Sequence, residues 1–318
     1  MTDIGVGVLG CGGMGSHHAS NLHQIQGIDV VAVSDTCASS AQSLASSLSA
    51  RVLEPHQLIH DDAVDAIVVA SPDNTHAEYA VAAIGANKPL LLEKPLADTV
   101  DQARLVVDAE AQVGRQLVQV GFMRELDPAH MELRSHLDSM GSITKIRCVH
   151  RNVDSQRRSD HQLFSQSIIH DIHTVRWLSG REFTNVATHL VERSDGFRDV
   201  LIVGRLDDGS LAQIEFEDQA FAYEVQVEVT TTSGMMATLP HPKTVRRSQL
   251  DESIRVGADW FGRFTDAYRA EAELWASSIR TQTPAGPTVN DGYRAQLVAE
   301  AAIRSLSSGS TEPVGESQ

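Results

Sequence analysis

The segment Ile4-Gly5-Val6-Gly7-Val8-Leu9-Gly10-Cys11-Gly12-Gly13-Met14-Gly15 leaves this chain few folds to choose from. An apolar run of strand length ends in a glycine turn, and a stretch of helical spacing, His17 to Gln26, follows at once. Gly10 permits the tight turn, Gly12 lets the backbone approach a pyrophosphate, and Gly15 lets the helix pack on the strand. Gly13 and Met14 complete the turn. The helix N-terminus then offers unpaired N–H groups and the positive end of a dipole to phosphates. Asp35 ends a second apolar run, Asp29 to Ser34, and lies 20 residues beyond Gly15. A carboxylate there accepts hydrogen bonds from ribose hydroxyls and repels a 2′-phosphate, so the pattern implies NAD rather than NADP. Thr36 follows it, not an arginine.

The next runs extend the pattern. Val64 to Ala70, Pro89 to Leu92 and Gln116 to Phe122 read as strands, with a helix at Thr75 to Ala86 between the first two. Another helix runs to Val113, with Asp98 or Thr99 as cap and Gly114 as stop. Continuous apolar strands alternating with helices predict a parallel sheet covered on both faces. After Phe122 the signals change. Helices are predicted at Pro128 to Met140 and around Ile168, Ile169, Ile172 and Val175. Strands are predicted at Ile143 to His150, Thr184 to Val191, Val200 to Leu206, Leu211 to Phe216 and Glu224 to Thr232. Asp208-Gly209 marks a hairpin. Helical spacing returns at Phe261 to Thr281 and Asp291 to Ser307. The expected organisation is a Rossmann domain over 1–122, an α+β domain with a large, predominantly antiparallel sheet over 123–308, and a flexible tail over 309–318.

Composition narrows the function classes. A formal charge of −16 over 318 residues opposes binding to nucleic acid or to an anionic membrane surface. Cys11, Cys37 and Cys148 form no CxxC pair, which argues against a disulfide framework or a zinc site and for a cytoplasmic location. The start, Met1-Thr2-Asp3-Ile4, has no basic stretch of the kind a signal peptide carries. Six histidines lie from His130 to His173 without metal-ligand spacing, so no metal is expected.

Pro89-Leu90-Leu91-Leu92-Glu93-Lys94-Pro95 is an apolar strand that ends in two charges and a proline. Ligands of open parallel sheets bind outside the carboxyl ends of the strands. A lysine there can act as general base or acid once its pKa is lowered; read locally, it is equally a solvated strand-end charge. With Ser71-Pro72-Asp73-Asn74-Thr75-His76, Gly121-Phe122-Met123-Arg124 and His150-Arg151-Asn152, the ordered motifs resemble the glucose–fructose oxidoreductase and inositol dehydrogenase family, Gfo/Idh/MocA. The segment Asp259 to Tyr268 is similar to the inositol 2-dehydrogenase branch. The resemblance covers nearly the whole chain. It implies that Lys94 takes part in proton transfer. It implies that Ser71, Pro72, Asn74, His76 and Glu93 lie along the cofactor, and that Arg124 and Asn152 face nicotinamide or substrate. It also implies homodimers or homotetramers built through the open sheet.

The chain departs from the family pattern at one helix. His170 matches the family's histidine, but the residue four before it is Gln166 where the family usually has Asp. The position three after it, often acidic in inositol dehydrogenases, is His173. An i,i+4 offset puts Gln166 and His170 on one helix face. Glutamine can hydrogen-bond a hydroxyl but cannot relay a proton. Asp171 is offset by about 100° on an ideal helix and is a poor substitute. The expected activity is NAD-dependent oxidation of a secondary alcohol of a cyclitol or sugar, with Lys94 as base assisted by His170. The alternatives are an NAD(H)-holding sensor or degenerate paralogue that lost turnover, and a sugar ketone reductase working in the opposite direction.

Overall fold

The structure is a computed structural model that describes residues 3–153, 157–218, 220, 223–238, 244–247, 252–255 and 259–315. Packing divides the chain into two compact units, Met1–Met123 with Tyr268–Gln296, and Arg124–Ala267 with Leu297–Gln318. The chain therefore returns to its first unit late, where a linear division at residue 122 had been expected. The helix Trp260–Thr281 is shared between the units, and it is interrupted at Phe264, whose φ of −110° and ψ of 16° are not helical.

The first unit is built on strands β1 (Ile4–Leu9), β2 (Ile28–Ser34), β3 (Arg51–Val52), β4 (Ala66–Val69), β5 (Leu90–Leu92) and β6 (Val118–Val120). All are parallel, in the order β3-β2-β1-β4-β5-β6. This is the doubly wound arrangement, with its switch point between β1 and β4, where such sheets bind ligands. The apolar runs form these strands because both faces are covered: Val6, Val8, Ala66, Val68 and Leu91 are 0% exposed. The intervening helices are α1 (Gly13–His23), α2 (Ala38–Leu48), α3 (Pro55–His60), α4 (Asp73–Gly85) and α5 (Val100–Val113). Thr99 caps α5 by accepting the Gln102 N–H, and Gly114 ends it. Trp275, 1% exposed, packs with Ala272 and Ala276 into the same core as Val30, Ala45 and Leu91.

The second unit holds α6 (Pro128–Leu137), β7 (Ile143–Arg151), α7 (Asp160–Leu163), α8 (Ile169–Ser179), β8 (Phe183–Glu192), β9 (Arg198–Leu206), β10 (Leu211–Glu217), β11 (Glu224–Thr231) and β12 (Met235–Ala237). The sheet order is β12-β11-β7-β10-β9-β8, extended at the β8 edge by a two-residue strand, Glu312–Pro313. Every pairing is antiparallel except β7 with β10. Alternation sets the faces. Ile146, Cys148, His150, Ile214, Phe216, Val225 and Val227 point to the buried side. The other face carries cross-strand ion pairs, Arg147 with Glu215 and Arg151 with Glu217 and Glu224.

Two expectations need correction. Part of the tail is ordered: Glu312–Pro313 pairs with Val186 and Asn185, and Val314 N–H donates to Thr184 O. Residues 316–318 of that tail lie outside the described residues. The helix before α8 is also not uniform. Phe164–Ile168 forms a π turn, so the i,i+4 rule that put Gln166 on the His170 face does not carry across it. Such turns bond i to i+5 and recur at functional sites.

Candidate active site

The glycine turn sits at the carboxyl end of β1, against the switch point. Gly10 has φ +94°, and a Cβ there would run into the Ala70 carbonyl. A Cβ on Gly15 would strike Gly10 O in turn, so both glycines are demanded by close backbone approach. A Cβ on Gly12 or Gly13 would meet nothing within 4 Å, which leaves the backbone of the turn open on its outer side. Gly12 is the N-cap of α1, no acidic residue stands in the first turn, and the first intrahelical bond is Ser16 N–H to Gly12 O at 3.0 Å. The N–H groups of Gly13, Met14 and Gly15 therefore precede the helical ladder. An open backbone, donors that precede the helical ladder and the lack of an acidic residue in the first helical turn fit a pyrophosphate.

Asp35 is half-buried beside this turn. Its Oδ2 accepts the Cys11 N–H at 2.6 Å and its Oδ1 accepts the Cys37 N–H at 2.7 Å. Asp35 thus ties the glycine turn to the start of α2. An ionised carboxylate has about four acceptor positions, so capacity remains for ribose hydroxyls. The Cys11 thiol is buried and pushed up to about 11 by burial and by the Asp35 charge, which makes it filler.

The loops after β4 and β5 are pinned together by His76. Its ring is 1% exposed, with Nδ1 2.7 Å from Pro95 O and Nε2 2.9 Å from Ser71 O. His76 therefore shapes the Ser71–Pro72 loop rather than presenting its ring to solvent. Ser71 Oγ lies 2.6 Å from Thr75 Oγ1, Pro72 is the N-cap of α4, and Asn74 is exposed in its first turn.

Glu93 follows β5 directly and is 6% exposed. His18, fully buried on α1, donates Nε2–H to Glu93 Oε1 at 2.7 Å. Oε2 accepts the Lys94 N–H at 3.2 Å. Burial alone would raise the Glu93 carboxyl, but the His18 hydrogen bond and the charges of His18, Lys94 and His76 bring it below its ordinary value. The Lys94 side chain is half-buried at this strand end. His18 was not among the residues expected from the sequence. Its signal was present: with Gly15, Ala19 and Leu22 it lies on the buried face of α1, where a histidine needs a polar partner.

In the second unit the charges are locked inside. Arg124, 2% exposed, donates Nη1–H to Asp171 Oδ1 at 2.5 Å. His150 Nδ1 lies 2.8 Å from Asp171 Oδ2 and 3.3 Å from Arg124 Nη2. Nδ1 cannot both donate and accept, and the shorter distance selects donation to Asp171. Burial would raise the Asp171 carboxyl; Arg124 and His150 more than reverse it and hold it below the usual carboxylate range. Burial lowers His150, and it pushes the Tyr223 hydroxyl up to about 12. Arg124 was expected to face nicotinamide or substrate; the structure commits its guanidinium to Asp171. Asp171, set aside from the sequence as misdirected, is the anchor of this cluster. A second buried cluster joins Asp127 to His130 at 2.6 Å and to Arg263 at 2.6 Å.

The remaining expected residues lie close by in sequence and apart in role. His170 is 8% exposed on α8, and its carbonyl accepts the Thr174 hydroxyl at 2.7 Å. His173 Nε2 lies 2.7 Å from Glu125 Oε1, so its ring is tied to a carboxylate rather than standing alone. Gln166 is half-buried in the π turn. Asn152 is 7% exposed at the end of β7, with its N–H on Glu217 O. Among the described residues no group of three or more His, Cys, Asp or Glu side chains could hold a metal ion, and no helix is long and apolar enough to cross a membrane.

Comparison with known proteins places both parts of the chain in one family. Residues 4–122 match the model of an oxidoreductase family described as an NAD-binding Rossmann fold, and 158–315 match that family's C-terminal alpha/beta domain. The chain is 38% identical to inositol 2-dehydrogenase 2 of Saccharopolyspora erythraea, over 98% of this chain and 95% of that protein. It is 38% identical to inositol 2-dehydrogenase of Rubrobacter xylanophilus, over 98% and 93%. Among solved structures it is similar to myo-inositol dehydrogenase from Lactobacillus casei in complex with NAD(H) and myo-inositol. The TM-score is 0.95 at 28% identity, covering 100% of this chain and 98% of that one.

Proposed function

The chain belongs to the Gfo/Idh/MocA oxidoreductase family, and from that premise we propose that it oxidises a secondary hydroxyl of an inositol, with Lys94 as the proton acceptor. It is an NAD-dependent dehydrogenase acting on CH–OH groups. The observation that carries the residue-level reading is the end of β5, where Lys94 follows the anchored carboxylate of Glu93 in the same unit as the glycine turn. The N–H groups of Gly12, Gly13, Met14 and Gly15 would hold the pyrophosphate, and Asp35 the ribose hydroxyls. Ser71, Pro72 and Asn74 would line the cofactor's path. When bound, NAD supplies the hydride acceptor. Lys94 removes the hydroxyl proton as the carbon loses hydride. His170 assists by hydrogen-bonding the reacting oxygen, and Asn152, Gln166 and His173 contribute contacts to the polyol. Arg124 serves the substrate indirectly, by holding Asp171 and His150.

The family's usual aspartate is replaced by Gln166, a neutral hydrogen-bonding group. Relatives 38% identical over nearly the whole chain are named inositol 2-dehydrogenases, which supports an active enzyme over a silent NAD(H) sensor. We also infer a homodimer or homotetramer: Val191, Val203, Leu211 and Met235 of the open sheet are 40% to 64% exposed, as an interface requires. Three free cysteines suit a reducing cytoplasm.

The test is NADH formation across inositol isomers and common sugars, for the natural protein and for Gln166→Asp. Ordinary turnover of at least one inositol by the natural protein is expected, with sugars at lower kcat/KM. Activity that appears only in Gln166→Asp would favour the silent sensor. Faster reduction of a sugar ketone than oxidation of any alcohol would favour the reductase.

A further inference from the structure

We propose that His18 is a positioning residue for Lys94, acting through Glu93. This rests on Lys94 being the proton acceptor. A carboxyl group only 6% exposed takes up a proton unless donors hold it ionised. Glu93 has a donor on each oxygen, the His18 ring at 2.7 Å and the Lys94 main chain at 3.2 Å. Gly121 makes the room, since a Cβ there would lie 3.2 Å from the Glu93 carboxyl carbon. The charged and titratable neighbours are few. His18 and His17 face the carboxylate from α1, His76 from α4, and Lys94 from its own loop. The Tyr268 ring stands edge-on to His18 with centroids 6.1 Å apart.

The placement of His18 gives the pair its meaning. Helix α1 begins at Gly13, in the turn that fits a pyrophosphate, and reaches Glu93 only five residues later. One rigid helix therefore links the nucleotide-binding turn to the strand end that bears Lys94. The ionised Glu93 restrains the Lys94 main chain, and its charge favours the protonated amine. His18, by keeping Glu93 charged, sets the pH above which the amine can accept a proton.

The experiment is the pH dependence of kcat and kcat/KM for NADH formation with the best inositol, for the natural protein, His18→Ala, His18→Gln and Glu93→Gln. NAD affinity would be measured in parallel by fluorescence titration. Loss of the imidazole lets Glu93 protonate, which removes a negative charge beside the amine. The acid limb of kcat/KM is then expected to move to lower pH by about one unit in His18→Ala. A fall in kcat of about tenfold is expected with it, with NAD affinity little changed. His18→Gln, which can still donate to Glu93, is expected to restore most of both. Glu93→Gln is expected to shift the acid limb in the same direction. A merely structural role would lower kcat and leave the limb in place. An unmoved limb in both His18→Ala and Glu93→Gln overturns the proposal. If circular dichroism shows His18→Ala unfolded, the Glu93→Gln profile decides alone, a shift supporting the proposal and no shift overturning it. Turnover that survives Lys94→Ala is a separate failure, because it removes the base and not its positioning.

Discussion

The two units carry charge in opposite ways. In the nucleotide-binding unit the groups expected to meet ligands, Asp35 and Lys94, stand half-buried at strand ends, where backbone amides help to hold their neighbourhood. In the second unit Arg124, Asp171, His150, Asp127 and His130 are all buried, none more than 3% exposed, and pair with one another. The first arrangement puts charge at strand ends, the side of an open parallel sheet on which ligands bind. The second uses charge to fix one packing, at the cost of desolvation. His18 and Glu93 are the exception that joins the two styles: a buried hydrogen-bonded pair placed next to the half-buried Lys94.

That contrast breaks most visibly if Asp171 is removed. Asp171→Ala leaves Arg124 buried without its carboxylate, and a loss of about 3–5 kcal/mol in urea unfolding is expected. The same loss in a variant that relieves Arg124 as well would contradict the pairing. Acid should act on the same cluster more gently. The Asp171 and Asp127 carboxyls are held below their unfolded values, so their stabilisation is complete above the ordinary aspartate pKa of about 3.9. It is lost as pH falls from there toward their folded values. Burial holds His150 and His130 below the ordinary histidine pKa of about 6.5, so the urea midpoint should begin to fall as pH drops through that value. It should fall further below about pH 4 as the carboxylates take up protons, that second fall being smaller in Asp171→Asn. The smallest expected effect lies in the first unit. Asp35→Ser removes the charge that repels a 2′-phosphate, and the ratio of NAD to NADP affinities should fall by about tenfold, that is about 1.4 kcal/mol. An unchanged ratio would mean that Asp35 only ties Cys11 to Cys37.

The first unit was legible in the sequence because each of its strands is apolar throughout. Ile4–Leu9 matches its expected bounds at both ends, and the glycines of the turn are forced by backbone collisions at Gly10 and Gly15. Helix α2 went unread because its serines dilute the pattern, although Ala41, Leu44 and Ala45 hold the buried face. The second sheet was legible from alternation and from the Asp208-Gly209 hairpin. The π turn was not, since apolar spacing around Ile168 fits an α-helix equally well. Nor were the ion pairs: nothing local to Asp171 announces Arg124, 47 residues away, or His150, 21 residues away. Sequence reading named Arg124 without its partner and set Asp171 aside, because a pairing across that separation leaves no local signal.

The most direct measurement is the rate of hydride transfer in Lys94→Ala beside its affinity for NAD. Turnover should fall by about 10²–10⁴-fold while NAD binds within a few fold of the natural protein. Comparable turnover in the variant, or NAD affinity lost together with turnover, would contradict a proton-accepting amine at the end of β5.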